Sequence, residues 1–212
     1  MTFFNKNIVS VPRSGQHMTE PALRYYHELM KIPFSYCEYY NCCKTRPCSK
    51  KPGAYQKNHD HDLNSEINDN DKYLFLYREN LLQQIEANFR LHLRNNKIIE
   101  NTSVKVDYTQ PRMVNYFKIY VSNPKNKKYY KNIFKKYLNT NKSNVLPIEY
   151  DYYVNNFNET FKKILLFFDV EINDEFIEQT RIFINPKLEY KISKADSYYD
   201  SLEKFVMSQI SN

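Results

Sequence analysis

The sequence predicts a three-layer α/β fold around a central, mainly parallel sheet. Three observations carry that expectation. Apolar strand-like runs alternate with helical patterns along the whole chain. The run Lys72-Tyr73-Leu74-Phe75-Leu76-Tyr77-Arg78 is apolar without alternation, as a strand buried on both faces requires. Ile8-Val9 is followed by a short loop holding Pro12, Ser14 and Gly15, then by the helical spacing Leu23, Tyr26, His27, Met30.

In chain order, residues 6–11 read as the first strand. Residues 19–31 read as a helix, with Thr19 as N-cap and Pro21 in its first turn. Residues 34–54 hold four cysteines, Pro47, Pro52 and Gly53 and read mostly as loop; 55–59 reads as a short strand. The polar stretch 64–71 connects to the 72–78 strand. Residues 80–95 place Leu81, Ile85, Phe89 and Leu93 on one helical face, and a Tyr- and Lys-rich helical region covers about 113–138. Val145 to Tyr150 reads as a strand and 157–169 as an amphipathic helix carrying Phe157, Phe161, Ile164, Leu165 and Phe168. Helical stretches near 174–180 and 197–210 close the chain.

The chain has 212 residues, no internal repeat and no linker-like segment, so one domain over 1–212 is expected. With 42% hydrophobic and 16% aromatic residues it has the material for a core despite a mean hydropathy of -0.75. The net charge of +7 favours an anionic ligand or partner. No apolar run approaches the ~20 residues of a membrane span. The segment Met1 to Lys6 lacks a long apolar stretch, so a cytoplasmic location is expected.

The 12–18 loop is the first candidate site. A strand, a short Pro/Ser/Gly loop and a helix turn backbone N–H groups and a helix dipole toward an anion. In a parallel α/β sheet such a loop lies at the carboxyl ends of the strands, where ligands bind, and Arg78 lies at another such end. A nucleoside-triphosphate loop would read G-x-x-x-x-G-K-[ST], which is absent, and the 72–78 strand ends in arginine rather than a Mg²⁺-holding aspartate. Cations without a carboxylate suit an anion handled without a metal, such as a sulfuryl group bridged to a phosphate.

At these residues the chain resembles the family of sulfotransferases that use 3′-phosphoadenosine 5′-phosphosulfate (PAPS). The family's phosphosulfate loop, P-[KR]-S-G-x-x, stands as Pro12-Arg13-Ser14-Gly15-Gln16-His17. Its strand-then-K-x-H block stands as Gln56-Lys57-Asn58-His59-Asp60, and its strand ending in the 3′-phosphate arginine as Leu74 to Asn80 with Arg78. A fourth block, Leu146 to Asp151, runs into the 157–169 helix. The four blocks follow family order over residues 8–170, and the cysteine-rich insert looks most like a prokaryotic or phage-type branch.

The resemblance implies a P-loop NTPase-like sulfotransferase fold and metal-independent, in-line transfer to an acceptor hydroxyl of a glycan or small metabolite. Adenosine 3′,5′-bisphosphate (PAP) is the product. His59 is then the general base, and Arg13 stabilises charge on the bridging oxygen. Backbone N–H groups of Ser14, Gly15, Gln16, His17 and Met18, with the Ser14 hydroxyl, cradle the phosphosulfate, and Arg78 holds the 3′-phosphate. Lys57 is a further candidate facing the sulfate, His17 a candidate for packing or capping the loop, and Asp60 or Asp62 a partner for the His59 or His61 ring. Two departures are plain. Glu86 stands where the family has a serine eight residues after the arginine. The late R-x-G motif has no counterpart, leaving Arg181 or Lys187 as substitutes.

Two features fall outside that resemblance. Between Tyr108 and Ile148 no acidic residue interrupts a set of lysines from Lys118 to Lys142 interleaved with tyrosines. This reads as a solvated helix face over core tyrosines, as an acceptor surface or, in the alternative reading, as a basic module over 112–142 binding nucleic acid or another polyanion. No nucleic-acid motif accompanies it. Cys37, Cys42, Cys43 and Cys48 crowd into twelve residues. They read as thiols, a local disulfide or a metal site, and their x4 spacings depart from the C-x2-C pattern of zinc sites, so no metal ligand is assigned.

Overall fold

A computed structural model describes residues 4–45, 48–64, 66–188 and 194–210. Met1 to Phe3, on which the leader expectation partly rests, lie outside the described residues. So do Arg46, Pro47 and Ser65 of the two predicted connections. The contacts divide the chain into two units: residues 1–77 with 137–188, and residues 78–136 with 189–212.

The first unit holds the sheet. β1 (Lys6–Ser10), β2 (Tyr36–Glu38), β3 (Tyr55–Asn58), β4 (Lys72–Tyr77) and β5 (Val145–Glu149) lie in the order β2-β3-β1-β4-β5, and every pairing is parallel. The apolar run 72–77 sits inside, between β1 and β5, as its lack of alternation requires. Pro147 is tolerated because β5 is an edge strand with a single partner.

Helices α1 (Gln16–Leu29), α5 (Tyr150–Asn155), α6 (Phe157–Phe167) and α7 (Asp174–Ile184) complete the first unit. Ala22, Leu23 and Tyr26 of α1 and Phe161, Ile164 and Leu165 of α6 share one core with Ile8, Leu74, Leu76 and Ile148 of the sheet. The Tyr26 hydroxyl accepts from the Asn173 N–H and donates to the Glu171 carbonyl, both at 2.8 Å, fixing the entry to α7.

The second unit contains α2 (Leu81–Asn95), α3 (Pro111–Ser122), α8 (Tyr199–Ile210) and most of α4 (Pro124–Leu138). Phe89, Tyr108, Phe117 and Tyr120 pack ring against ring in it. No described helix is long and apolar enough to cross a membrane.

One local expectation is corrected and two are filled in. α1 begins at Gln16, not Thr19: Gly15 is the N-cap, and the Thr19 hydroxyl donates to the Gly15 carbonyl from inside the first turns. The 113–138 region is two helices, because Asn123 precedes Pro124 and takes extended backbone (φ -57°, ψ 126°). The loop 34–54 contains a strand, β2, at the edge of the sheet.

Candidate functional site

The site is built at the carboxyl edge of the sheet, where the strand order turns at β1. Pairing runs one residue past β1, with the Val11 N–H donating to the Leu76 carbonyl at 3.1 Å. The chain then folds sharply. The Ser14 N–H donates to the Val11 carbonyl at 3.2 Å, and Arg13 is held at φ 70°. A non-glycine residue at such an angle costs of order 1–2 kcal/mol, so the arginine at the loop's crest is carried on strained backbone.

Gly15 follows at φ 88°. A Cβ there would stand 2.4 Å and 2.7 Å from two ring carbons of Tyr150, the first residue of α5. Glycine is therefore required twice, by the backbone angle and by the ring lying against it.

The N-cap residue of α1 is Gly15, which has no side chain with which to cap the helix. The Met18 and Thr19 N–H groups both donate to the Gly15 carbonyl at 3.0 Å, which narrows the expected amide cradle to Gly15, Gln16 and His17. The Ser14 side chain is buried beneath the turn. Gln16 is also buried, and its Nε2 donates to the Ile8 carbonyl of β1 and the Asn58 carbonyl of β3, each at 3.2 Å. Its side chain thus ties the loop to two strands, while its backbone N–H belongs to the first turn of α1.

His59 follows β3 directly. Its Nδ1 lies 3.1 Å from the Ser10 carbonyl and 3.3 Å from the Ser10 hydroxyl. A carbonyl only accepts, so in the neutral ring Nδ1 carries the hydrogen and the lone pair sits on Nε2. Burial, joined by the charges of His61 and Lys57, lowers the His59 pKa to about 4. The strand stops at Asn58, whose Oδ1 accepts from the Asp60 N–H at 3.0 Å, and Asp60 takes φ 46°. His61 therefore lies on a turn rather than along a continued strand, its ring tilted against His59 at 5.2 Å. The Asp60 carboxylate accepts from the Tyr137 hydroxyl at 3.0 Å, while a backbone carbonyl orients His59.

Lys57 is buried, with Nζ 3.1 Å from Glu38 of β2. Against the raising effect of its partial burial, hydrogen bonds from Lys57 and Asn41 and the charges of Lys57 and His59 hold the Glu38 carboxyl below its ordinary value. His17 has a lowered pKa, from burial first and then from the charges of Lys57 and Arg13. In the first unit the cations Arg13 and Lys57 thus act on His17, and Lys57 on His59, and these charges help burial to disfavour protonation of the two rings. Glu38, Ser10 and Tyr150 join the site without a sequence signal as partners; only the parallel register opposing Glu38 to Lys57 could have exposed the first.

Arg78 follows β4 immediately, opens the second unit and is buried. Glu86, at the departure from the family pattern, is buried on α2, where Arg90 Nε reaches it at 2.9 Å. Arg181 is engaged on the surface of α7 with Glu178. In the basic stretch, Tyr129, Tyr130 and Tyr137 are buried, as a core role requires, while Lys118, Lys125, Lys128 and Lys135 are exposed.

No family model matches the chain, and no curated protein matches it. Among solved structures, the crystal structure of mouse sulfotransferase SULT7A1 complexed with PAP is similar, with a TM-score of 0.57 and 14% sequence identity. The likeness covers 87% of this chain and 64% of that one, so the chain spans less than two thirds of its neighbour's length. At this identity the likeness establishes the fold: an α/β sulfotransferase fold around a mainly parallel five-stranded sheet.

Proposed function

We propose that this chain is a PAPS-dependent sulfotransferase that moves a sulfuryl group to an acceptor hydroxyl and releases PAP. The observation that carries the reading is the β1–α1 loop. Gly15, lying under the Tyr150 ring, opens a helix whose N-cap residue has no side chain, beside a histidine whose tautomer is set by a backbone carbonyl.

The donor set fits the co-substrate. Phosphosulfate oxygens only accept hydrogen bonds; the loop offers the Gly15, Gln16 and His17 amides and the Arg13 cation, and β3 adds Lys57. The solved neighbour was crystallised with PAP, which supports extending the same ligand to this chain. PAPS supplies an activated sulfuryl group on a phosphate leaving group.

The residues then divide the work. The amides and the α1 dipole hold the 5′ end of the nucleotide. Arg13 sits where charge gathers on the bridging oxygen as the S–O bond breaks. His59 Nε2 takes the proton of the acceptor hydroxyl while its oxygen attacks sulfur in line, and Ser10 keeps the ring turned for that transfer. A pKa near 4 keeps the ring neutral, and so able to accept a proton, throughout the physiological range. Arg78 is assigned to the 3′-phosphate. Glu86, already engaged by Arg90, is not available as a substitute for the family's serine.

The reading includes a glycan or small-metabolite acceptor, a prokaryotic or phage-type origin and a cytoplasmic site of action, the last in keeping with four cysteines that are not joined in disulfides. Differential scanning with PAP tests it. A rise in Tm that saturates with PAP is the expected result, and no shift at millimolar PAP would refute it.

A further inference from the structure

The four cysteines play no part in the transfer reaction, and the structure gathers all of them at one place. Cys37 lies on β2, the edge strand. Cys42 and Cys43 follow the 3-10 turn at 39–41, and Cys48 precedes β3. All four Sγ atoms lie within 4.8 Å of one another. Cys37 and Cys48 are buried, with Ala54 beside them, and Cys42 and Cys43 are half-buried.

Their spacing separates the chemical options. A disulfide requires sulfurs about 2.05 Å apart. Here the Cys37–Cys43 and Cys42–Cys48 sulfurs are 3.7 Å and 3.9 Å apart. Four thiolates about 2.3 Å from a tetrahedral zinc ion lie about 3.8 Å from each other. The two measured edges fall on either side of that value. The surroundings suit thiolates as well. The Thr45 N–H donates to Cys43 Sγ at 3.5 Å, and Gln56 Nε2 lies 3.7 Å from Cys37 Sγ and 3.9 Å from Cys43 Sγ. N–H donors of this kind orient ligands and offset the negative charge of a four-thiolate centre.

We propose that Cys37, Cys42, Cys43 and Cys48 bind one structural zinc ion as a closed four-thiolate site. The sequence spacing differs from C-x2-C, but the ligands come from a strand, a turn and a loop, so the geometry is met in space rather than along one knuckle. Binding exchanges four S–H protons for one Zn²⁺ and forms four Zn–S bonds, with no change of oxidation state. Four protein ligands leave no position for water or substrate, so the ion does no chemistry.

Its effect is mechanical. It fastens the edge strand β2 to the segment entering β3. β2 also carries Glu38, the partner of Lys57, two residues before His59. The ion therefore holds the outer wall of the anion site without touching the nucleotide.

The test is metal analysis of the full chain, purified under reductant without added metal, followed by cobalt substitution. The expected result is one zinc per chain. Stoichiometric Co²⁺ then gives thiolate-to-cobalt charge-transfer absorption and the strong visible bands of tetrahedral cobalt. Cys42→Ser and Cys43→Ser, at the half-exposed positions, should lower the bound zinc several-fold in protein whose circular dichroism is unchanged. Protein that is folded and reduced yet holds no zinc overturns the proposal, as does iron in its place or cysteines recovered in disulfides. PAP binding measured on the same samples reads the nucleotide proposal separately, since no cysteine belongs to the phosphosulfate loop.

Discussion

Two strand–loop–helix units leave the same edge of the sheet, and they are finished differently. After β1, the chain reaches α1 through strained Arg13 and left-handed Gly15, an N-cap residue with no side chain to cap the helix. After β4, it reaches α2 through Arg78, Glu79 and Asn80, and the Asn80 side chain accepts from the Gln83 N–H at 3.0 Å. In the second unit the Asn80 amide also donates to the Tyr199 hydroxyl at 2.7 Å. One helix start is capped by the side chain of its own N-cap residue, and the other has at that position a glycine with no side chain to give. The contrast teaches that a strand–loop–helix layout alone does not make an anion site. The N-cap glycine, which has no side chain and lets backbone approach, is what distinguishes the first loop from the second.

The largest effect expected is on turnover. His59→Ala should lower kcat by about 10²- to 10⁴-fold, the usual contribution of a general base, while leaving the Kd for PAP within about twofold. An equal loss in both would return His59 to a packing role. Gly15→Ala comes next. The added Cβ must push Tyr150 aside and hold φ near 88°, so PAP affinity should fall at least ~100-fold, about 2.7 kcal/mol, by calorimetric titration. Unchanged affinity in the folded variant would break the contrast between the two loops.

The pH dependence follows from the lowered pKa of His59. With a folded pKa of about 4 and an unfolded value near 6.5, the unfolded chain binds more protons between those limits. This group therefore contributes its stability above pH 6.5, and up to about 3 kcal/mol is lost as pH falls from 6.5 to 4. His59→Gln should flatten that part of the urea-stability profile. The acid limb of kcat/KM should lie near pH 4, and a limb at pH 6.5 would show the ring to be solvated. The smallest effects test the caps. Asn80→Ala should cost about 1 kcal/mol in chemical denaturation, as removing a true N-cap does. Thr19→Ala, inside α1, should cost less than about 0.5 kcal/mol.

The parts legible in the sequence are those fixed by local pattern. The unbroken apolar run 72–77 announced a central parallel strand, and Pro12 to Gly15 announced the loop. Thr19 misled because a side chain that caps in one register bonds back along the helix in another, and Gly15 decides which. The break at Asn123-Pro124 was readable, since a residue before proline leaves the helical region, but helical periodicity on both sides masked it.

What could not be read rests on contacts distant in sequence. The Ser10 carbonyl sets the His59 tautomer across 49 residues, and Tyr137 meets Asp60 across 77. The cysteines carried the opposite lesson. Their spacing along the chain shows no single-knuckle pattern, yet β2, the turn after it and the loop before β3 bring the four Sγ atoms within 4.8 Å of one another.

The central claim is that the α1 start at Gly15, with the Arg13 and Lys57 cations, forms a nucleotide site. Isothermal titration of the folded chain with PAP tests it most directly. Saturable binding at one PAP per chain, weakened at least tenfold by Arg13→Ala and unaffected by Lys128→Ala on the exposed basic stretch, is the predicted result. No measurable heat at millimolar PAP, or equal weakening by both substitutions, would contradict it.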